Sequence, residues 1–258
     1  SVGGLTVVAT TGRRLVAYGA GGQWLWEVPL SDIARVAPVP LGATLVVATL
    51  DGEVTGLDLA SGAEAWRTQV AAEVRDPLVT AGDRLLVADQ SGALTCLDAA
   101  GSELWAVDAG AARSVAVSSG ASPVVVVGRE DSPVVRGYAL ADGERVWELR
   151  HYDDAREIVA IGDRFLLRDT DRSTAVDAAT GAPAWTWSQQ RSWAAVGVGD
   201  RVLLLTDTDL VLLDDAGAVV GRWPHALGDV SQSSSFLAAA EGLVVAYGPL
   251  GMTVGRLP

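Results

Sequence analysis

Lysine is missing from this chain of 258 residues: all 19 basic side chains are arginine, set against 32 aspartates and glutamates for a formal net charge of -13. A field of that sign repels phosphate backbones. Nucleic acid is therefore excluded as an expected partner, because its nonspecific capture rests on cationic side chains that displace counterions. A single cysteine, Cys96, rules out an internal disulfide and leaves the redox compartment unreadable from pairing. Only two histidines occur, His151 and His225. No phosphate loop, nucleophile elbow or metalloprotease helix pattern accompanies them, which argues against catalysis. Long apolar runs are absent as well: none approaches the roughly 20 residues that a membrane helix requires. Direct membrane insertion by this chain is not expected. The sequence opens Ser1-Val2-Gly3-Gly4, without an initiator methionine or signal peptide, so a segment upstream of Ser1 is expected and location has to be inferred indirectly.

What is present is a period. Five times a tryptophan stands four residues after a glycine, in the pairs Gly22/Trp26, Gly62/Trp66, Gly101/Trp105, Gly143/Trp147 and Gly181/Trp185. A sixth turn at Gly217 has Gly221 in the tryptophan slot, with Trp223 two residues later on the same face of a strand. Successive glycines lie 40, 39, 42, 38 and 36 residues apart. Such spacing marks a repeat architecture, and residues 1–258 read as one array and one domain.

Each unit parses into four short strands, A to D. The second unit predicts A at Ile33–Val39, B at Thr44–Thr49, C at Val54–Leu59 and D at Glu64–Val70, joined by hairpin formers such as Asp51-Gly52 and Ser61-Gly62. Runs such as Leu45-Val46-Val47, Val124–Val127 and Val202–Leu205 read as buried B strands. The fold class is all-β: a seven-bladed β-propeller of four-stranded antiparallel blades. Seven B–C hairpins are found but only six A and six D strands, so the terminal blades are incomplete. An upstream segment running D then A, or a partner strand, is expected to supply what they lack, since an open sheet edge is otherwise left. Cys96 occupies the slot held elsewhere by Gly56, Gly137, Ala175 and Leu212, and reads as a small buried strand residue.

The segments Leu57-Asp58-Leu59-Ala60-Ser61-Gly62-Ala63-Glu64-Ala65-Trp66 and Val176-Asp177-Ala178-Ala179-Thr180-Gly181-Ala182-Pro183-Ala184-Trp185 resemble the quinoprotein (PQQ)-like propeller repeat, and Leu97–Trp105 is a version one residue shorter. The resemblance runs the length of the chain. It implies that Trp26, Trp66, Trp105, Trp147, Trp185 and Trp223 are docking residues between blades. Among relatives, quinoprotein dehydrogenases carry calcium and a quinone, but this chain lacks their adjacent cysteine pair and large insertions. The resemblance to the noncatalytic BamB-like scaffolds implies instead a protein-binding propeller outside the cytoplasm, tethered to a membrane through an upstream region, with no cofactor and no metal.

The D–A connections are the least uniform part of the repeat, and rigid scaffolds tend to carry function in such loops. They contribute the candidate partner-binding residues His151, Tyr152, Asp153 and Asp154 in one connection, Gln190, Arg191 and Trp193 in the next, and His225 in the third. Aromatics and arginine beside adaptable polar groups suit protein recognition. The plainer reading is of longer loops with satisfied polar groups. Two B–C turns repeat Asp-x-Asp, at Asp169-Thr170-Asp171 and Asp207-Thr208-Asp209, with Glu130-Asp131 in the matching place of the fourth unit. Hard cations bind such carboxylates, yet aspartates also bond their own turns. The expected partner is another protein, such as a member of a membrane-associated complex. The alternative is a small molecule or glycan in a central funnel, stacked on Trp193 and Tyr152.

Overall fold

The computed structural model describes residues 4–129, 132–150, 157–169, 171–228, 230, 236–240 and 243–256, all in strands, turns and loops. Residues Ser1–Val115 and Ala116–Pro258 make two compact units. In the first unit, sheet 1 is β1 (Thr6–Thr10), β2 (Arg14–Tyr18) and β3 (Trp24–Pro29). Sheet 2 is β4 (Val39–Leu41), β5 (Thr44–Ala48), β6 (Glu53–Asp58) and β7 (Glu64–Gln69), and sheet 3 is β8 (Val79–Ala81), β9 (Arg84–Ala88), β10 (Ala93–Leu97) and β11 (Glu103–Asp108). Strand β12 (Ala112–Val117) carries the chain into the second unit, where β13 (Val124–Arg129), β14 (Val134–Ala139) and β15 (Arg145–Arg150) complete sheet 4. Sheet 5 is β16 (Glu157–Ile161), β17 (Arg164–Arg168), β18 (Ser173–Asp177) and β19 (Pro183–Trp187). Sheet 6 is β20 (Ser192–Val198), β21 (Arg201–Thr206), β22 (Asp209–Leu213) and β23 (Val219–Pro224), and sheet 7 is β24 (Phe236–Ala240), β25 (Leu243–Gly248) and β26 (Gly251–Arg256). Seven successive antiparallel sheets of four or three strands place the chain in the seven-bladed β-propeller class.

The expected B, C and D strands of the second unit lie within one residue of those observed. The A strand does not: Ile33–Val39 was the expected span, and only Val39–Leu41 pairs. Prolines 38 and 40 cannot donate to a ladder. The preceding residues are instead held by side-chain and turn contacts, with the Leu50 amide donating to the Ile33 carbonyl at 3.0 Å and the Ile33 amide to Asp32 Oδ1 at 2.8 Å.

Within each unit the core lies between neighbouring sheets. Leu15, Ala17 and Trp26 pack on Leu45, Val47 and Leu57, and Val126 and Trp147 pack on Phe165, Leu167 and Val176. The predicted B-strand runs are buried throughout. A β-bulge interrupts all six described C–D ladders at the residue facing the motif position, and Trp26, Trp66, Trp147 and Trp185 lie on the face that meets the next sheet of their unit.

That geometry explains two residues at once. Across the C–D ladder the indole faces a small residue: Ala17 opposite Trp26, Gly56 opposite Trp66, Cys96 opposite Trp105, Gly137 opposite Trp147 and Ala175 opposite Trp185. Where glycine replaces tryptophan the exchange is reciprocal, with Leu212 facing Gly221. The motif glycine then seats the indole of the sheet before it. A Cβ on Gly62 would lie 2.7 Å from Trp26 Cδ2, one on Gly181 2.7 Å from Trp147 Cδ2, and one on Gly217 2.6 Å from Trp185 Cδ2. The seat is completed by a carbonyl of the same turn: Trp26, Trp147 and Trp185 donate through Nε1 to Leu59, Ala178 and Asp215 at 3.1, 2.8 and 2.8 Å. Trp66 rests on Gly101 in the same way, but its Nε1 has no acceptor. Trp105 is buried, and Trp223, half turned to solvent, folds its ring back over Gly221.

Burial pushes the Cys96 thiol up to about 11, with Arg84 opposing the shift weakly. The thiolate is the reactive form, so Cys96 is expected to resist iodoacetamide at pH 8 and to react only on unfolding, checked by mass spectrometry across a urea series. A raised thiol pKa contributes stability below pH 9 that is lost as the pH climbs through 11. Trp147→Ala removes an indole clamped from both sides, and is expected to cost about 3–5 kcal/mol in urea unfolding. Gly181→Ala adds a Cβ against that indole at a backbone φ of +70°, where an L-residue is strained, and is expected to cost at least about 1 kcal/mol. A loss well under 1 kcal/mol in either would show that the seat does not hold the sheets together.

Candidate functional site

In a four-stranded sheet the B–C and D–A connections leave from one end. In sheets 5 and 6 this end is built from the turn containing Asp169 and Asp171, the connection Ser188 to Arg191, the turn Asp207-Thr208, and the segment that starts at His225. The side chains there are tied to one another. Arg191 Nε donates to Asp171 Oδ1 at 2.8 Å, linking the D–A connection of sheet 5 to its own B–C turn. Gln190 Nε2 donates to Thr208 Oγ1 at 3.3 Å, and Gln190 Oε1 accepts from Arg222 Nη1 at 3.3 Å. The same Arg222 nitrogen reaches Asp209 Oδ2 at 3.0 Å. Asp209 is held below the usual carboxylate range, first by the Thr208 hydroxyl and then by Arg222 and Gln190, so it stays ionised at neutral pH.

Trp193 leaves its loop for the interior. Its Nε1 donates to Asp207 Oδ1 at 2.7 Å, and its ring lies against the cluster containing Leu203, Leu205 and Leu210. Both ring nitrogens of His225 are engaged: Nε2 lies 2.9 Å from the Thr206 carbonyl, and Nδ1 accepts weakly from the Leu227 amide at 3.4 Å. Those partners require the Nε2–H tautomer and leave no free lone pair for a general base. His151, Tyr152, Asp153 and Asp154 lie outside the described residues, as do Glu130, Asp131 and Thr170.

One residue inward along the strands is a polar anchor that sequence reasoning missed. Arg168, 2% exposed, donates from Nε to Glu157 Oε2 at 2.6 Å and from Nη1 to the Ser192 carbonyl at 2.7 Å. The Ala195 amide donates to the same Glu157 oxygen at 3.2 Å, so one ion pair, its arginine buried and its glutamate half-buried, ties sheet 5 to β20 of sheet 6. A buried charge that lost its partner would be costly, so this pair holds the connections above it in place. The available signal was an arginine closing the apolar run Phe165-Leu166-Leu167. At the opposite end of these sheets, Asp163, Asp177, Asp200 and Asp215 line an open cleft with Arg164, which donates to the Asp215 carbonyl at 2.8 Å.

Among the described residues no group of three His, Cys, Asp or Glu side chains could hold a metal ion. Of the four Asp-x-Asp carboxylates among the described residues, Asp171, Asp207 and Asp209 are taken up by Arg191, Trp193 and Arg222. This donor set does not fit a calcium-held quinone. What the arrangement offers is a rigid end surface, with arginine, glutamine and aspartate presented in fixed positions.

The family model described as outer membrane protein assembly factor BamB matches residues 1–78, 50–169 and 101–248. A curated protein of that name from Nitrosomonas eutropha is 31% identical over 83 residues, a match that spans 31% of this chain and only 20% of that protein. Among solved structures, BamB from Moraxella catarrhalis aligns over 99% of this chain and 95% of its own, with a TM-score of 0.57 at 17% identity. The computationally designed Ika8 protein aligns over 98% and 81% with a TM-score of 0.79 at 15% identity. BBS1N, solved in complex with ARL6DN, aligns over 98% and 86% with a TM-score of 0.69 at 15% identity. At such identities the structural likenesses show the fold alone. The family model, matched over nearly the whole chain, shows more: this chain belongs to the PQQ-like repeat family of the outer membrane protein assembly factor BamB.

Proposed function

We propose that the chain is a noncatalytic, extracytoplasmic protein-interaction scaffold, tethered to a membrane as part of a larger protein, and that it receives its partner at the B–C and D–A end of sheets 5 and 6. The observation that carries this reading is the state of the polar groups there: Arg191, Gln190, Arg222, Trp193 and His225 are all held by neighbouring side chains or carbonyls. None of these described groups presents a free proton acceptor, which supports binding over catalysis. A preorganised polar surface instead lowers the ordering cost of association. Arg191 and Asp171 are the most solvated of the pairs, with side chains 58% and 70% exposed, so a partner carboxylate or amide can compete for the guanidinium without unfolding anything. By sequence, His151 to Asp154 belong to the same class of connection and extend the proposed surface toward sheet 4. Membership of the BamB family supports a location outside the cytoplasm and a role in an assembly at a membrane.

The test is chemical cross-linking in a cell-envelope extract with the tagged protein, comparing wild type with Arg191→Glu and Gln190→Ala. Both changes lie in a loop, Arg191 exposed and Gln190 half-buried, and are expected to leave the melting temperature within a few degrees. Recovery of the cross-linked partner is expected to fall about tenfold or more, in line with loss of a buried arginine contact at an interface. Equal recovery from wild type and both variants would remove the assignment of this surface.

A further inference from the structure

The packing between sheets 6 and 7 departs from the pattern set between sheets 5 and 6. Strand β19 sends both Trp185 and Trp187 into the core shared with sheet 6, where they stand opposite Ala175 and Ser173 of their own ladder. The corresponding positions of β23 are Gly221 and Trp223, opposite Leu212 and Leu210. One indole is therefore missing, and the other does not take its place in the core. The Trp223 ring folds back over Gly221, where an added Cβ would lie 2.3 Å from Cη2, and it stays 36% exposed. Beside it the two sheets leave an apolar cavity of about 150 Å3, lined by Trp223, by Leu203 and Leu210 of sheet 6 and by Val244 of sheet 7.

Size and lining together define what this cavity accepts. An apolar space of that volume stays dry and takes up benzene, because a water molecule inside it would find too few polar partners. The Trp223 ring adds an aromatic wall on which a second ring can stack. Gly255 lines the cavity as well, and a Cβ there would meet no atom within 4 Å, so nothing crowds that side. Among the described lining residues Arg256 alone carries a charge; it is exposed and forms no ion pair with another described residue. A guanidinium stays cationic at any ordinary pH, and its planar fork matches a carboxylate through two parallel hydrogen bonds. Ligand pockets commonly combine a mostly apolar lining with one such orienting group.

We propose that this cavity binds a small monocyclic aromatic carboxylate, with its ring on Trp223 among Leu203, Leu210 and Val244 and its carboxylate at Arg256. Both parts of the ligand are needed. A purely apolar ring would leave Arg256 unused, and a bare carboxylate would leave the apolar walls unfilled. The volume sets the upper limit, since it admits one ring and not a fused pair of the size of the Trp187 indole. The site shares no residue with the partner surface proposed on sheets 5 and 6, and its occupation does not depend on that surface.

Thermal unfolding and isothermal titration calorimetry with phenylacetate as the probe test this. Saturating phenylacetate is expected to raise the melting temperature by about 2 °C or more, because a ligand that binds only the folded state stabilises it, and acetate at the same concentration is expected not to. Gly255→Leu places an aliphatic side chain in the cavity without a clash at Cβ, and is expected to abolish the phenylacetate shift. Arg256→Gln, at an exposed position, leaves the cavity itself intact. It is expected to weaken phenylacetate binding about fivefold or more while toluene binding stays within about twofold of wild type. No shift with phenylacetate, an equal shift with acetate, or an equal shift in Gly255→Leu would each overturn the proposal. So would unchanged phenylacetate affinity in Arg256→Gln. Arg191→Glu should leave phenylacetate affinity unchanged, which separates this result from the fate of the partner surface.

Discussion

The clamp on the motif indole is the contact on which the architecture depends. Each ring has a small residue across its own ladder and, where the next turn is described within the same unit, a glycine seat from the following sheet. Neither side tolerates added volume. A close-packed interior converts such fits into stability because a lost contact is not replaced by relaxation. The reciprocal exchange at Gly221 and Leu212 shows the constraint operating in reverse: when the indole leaves, the facing residue grows.

Because the cores lie between sheets, the sheet ends are left to loops whose polar groups must find partners locally. At the described end of sheets 5 and 6 they do so through pairs such as Arg191 with Asp171 and Trp193 with Asp207, above the buried Arg168 and its partner Glu157. Rigidity there follows from the packing beneath it. The proposed role as a binding surface draws on that arrangement, and the acidic overall charge would add selectivity against polyanions.

Much of the fold was legible in the residues because its signals are local. The glycine and tryptophan interval, the Asp-Gly turns and runs such as Val202–Leu205 each declare themselves within ten residues. The A strand of the second unit was misplaced because Ile33–Val39 carries an apolar pattern while Pro38 within it denies the ladder a donor. The candidate loops were chosen for composition alone, which could mark Gln190, Arg191, Trp193 and His225 but not their partners. Asp171 and Arg191 are 20 residues apart, and Glu157 and Ala195 are 38 apart. No periodicity links them.

By itself the sequence determined the repeat and the class of fold, since these follow from spacing and from the size of glycine and tryptophan. Only the tertiary structure decided that Cys96 is small because an indole stands opposite it, and that Trp193 turns toward Asp207 and the core. The physical reason is separation along the chain. Spacing is inherited from the backbone, whereas a side chain's partner is set by whichever residues the folded sheets bring within about 3 Å of it.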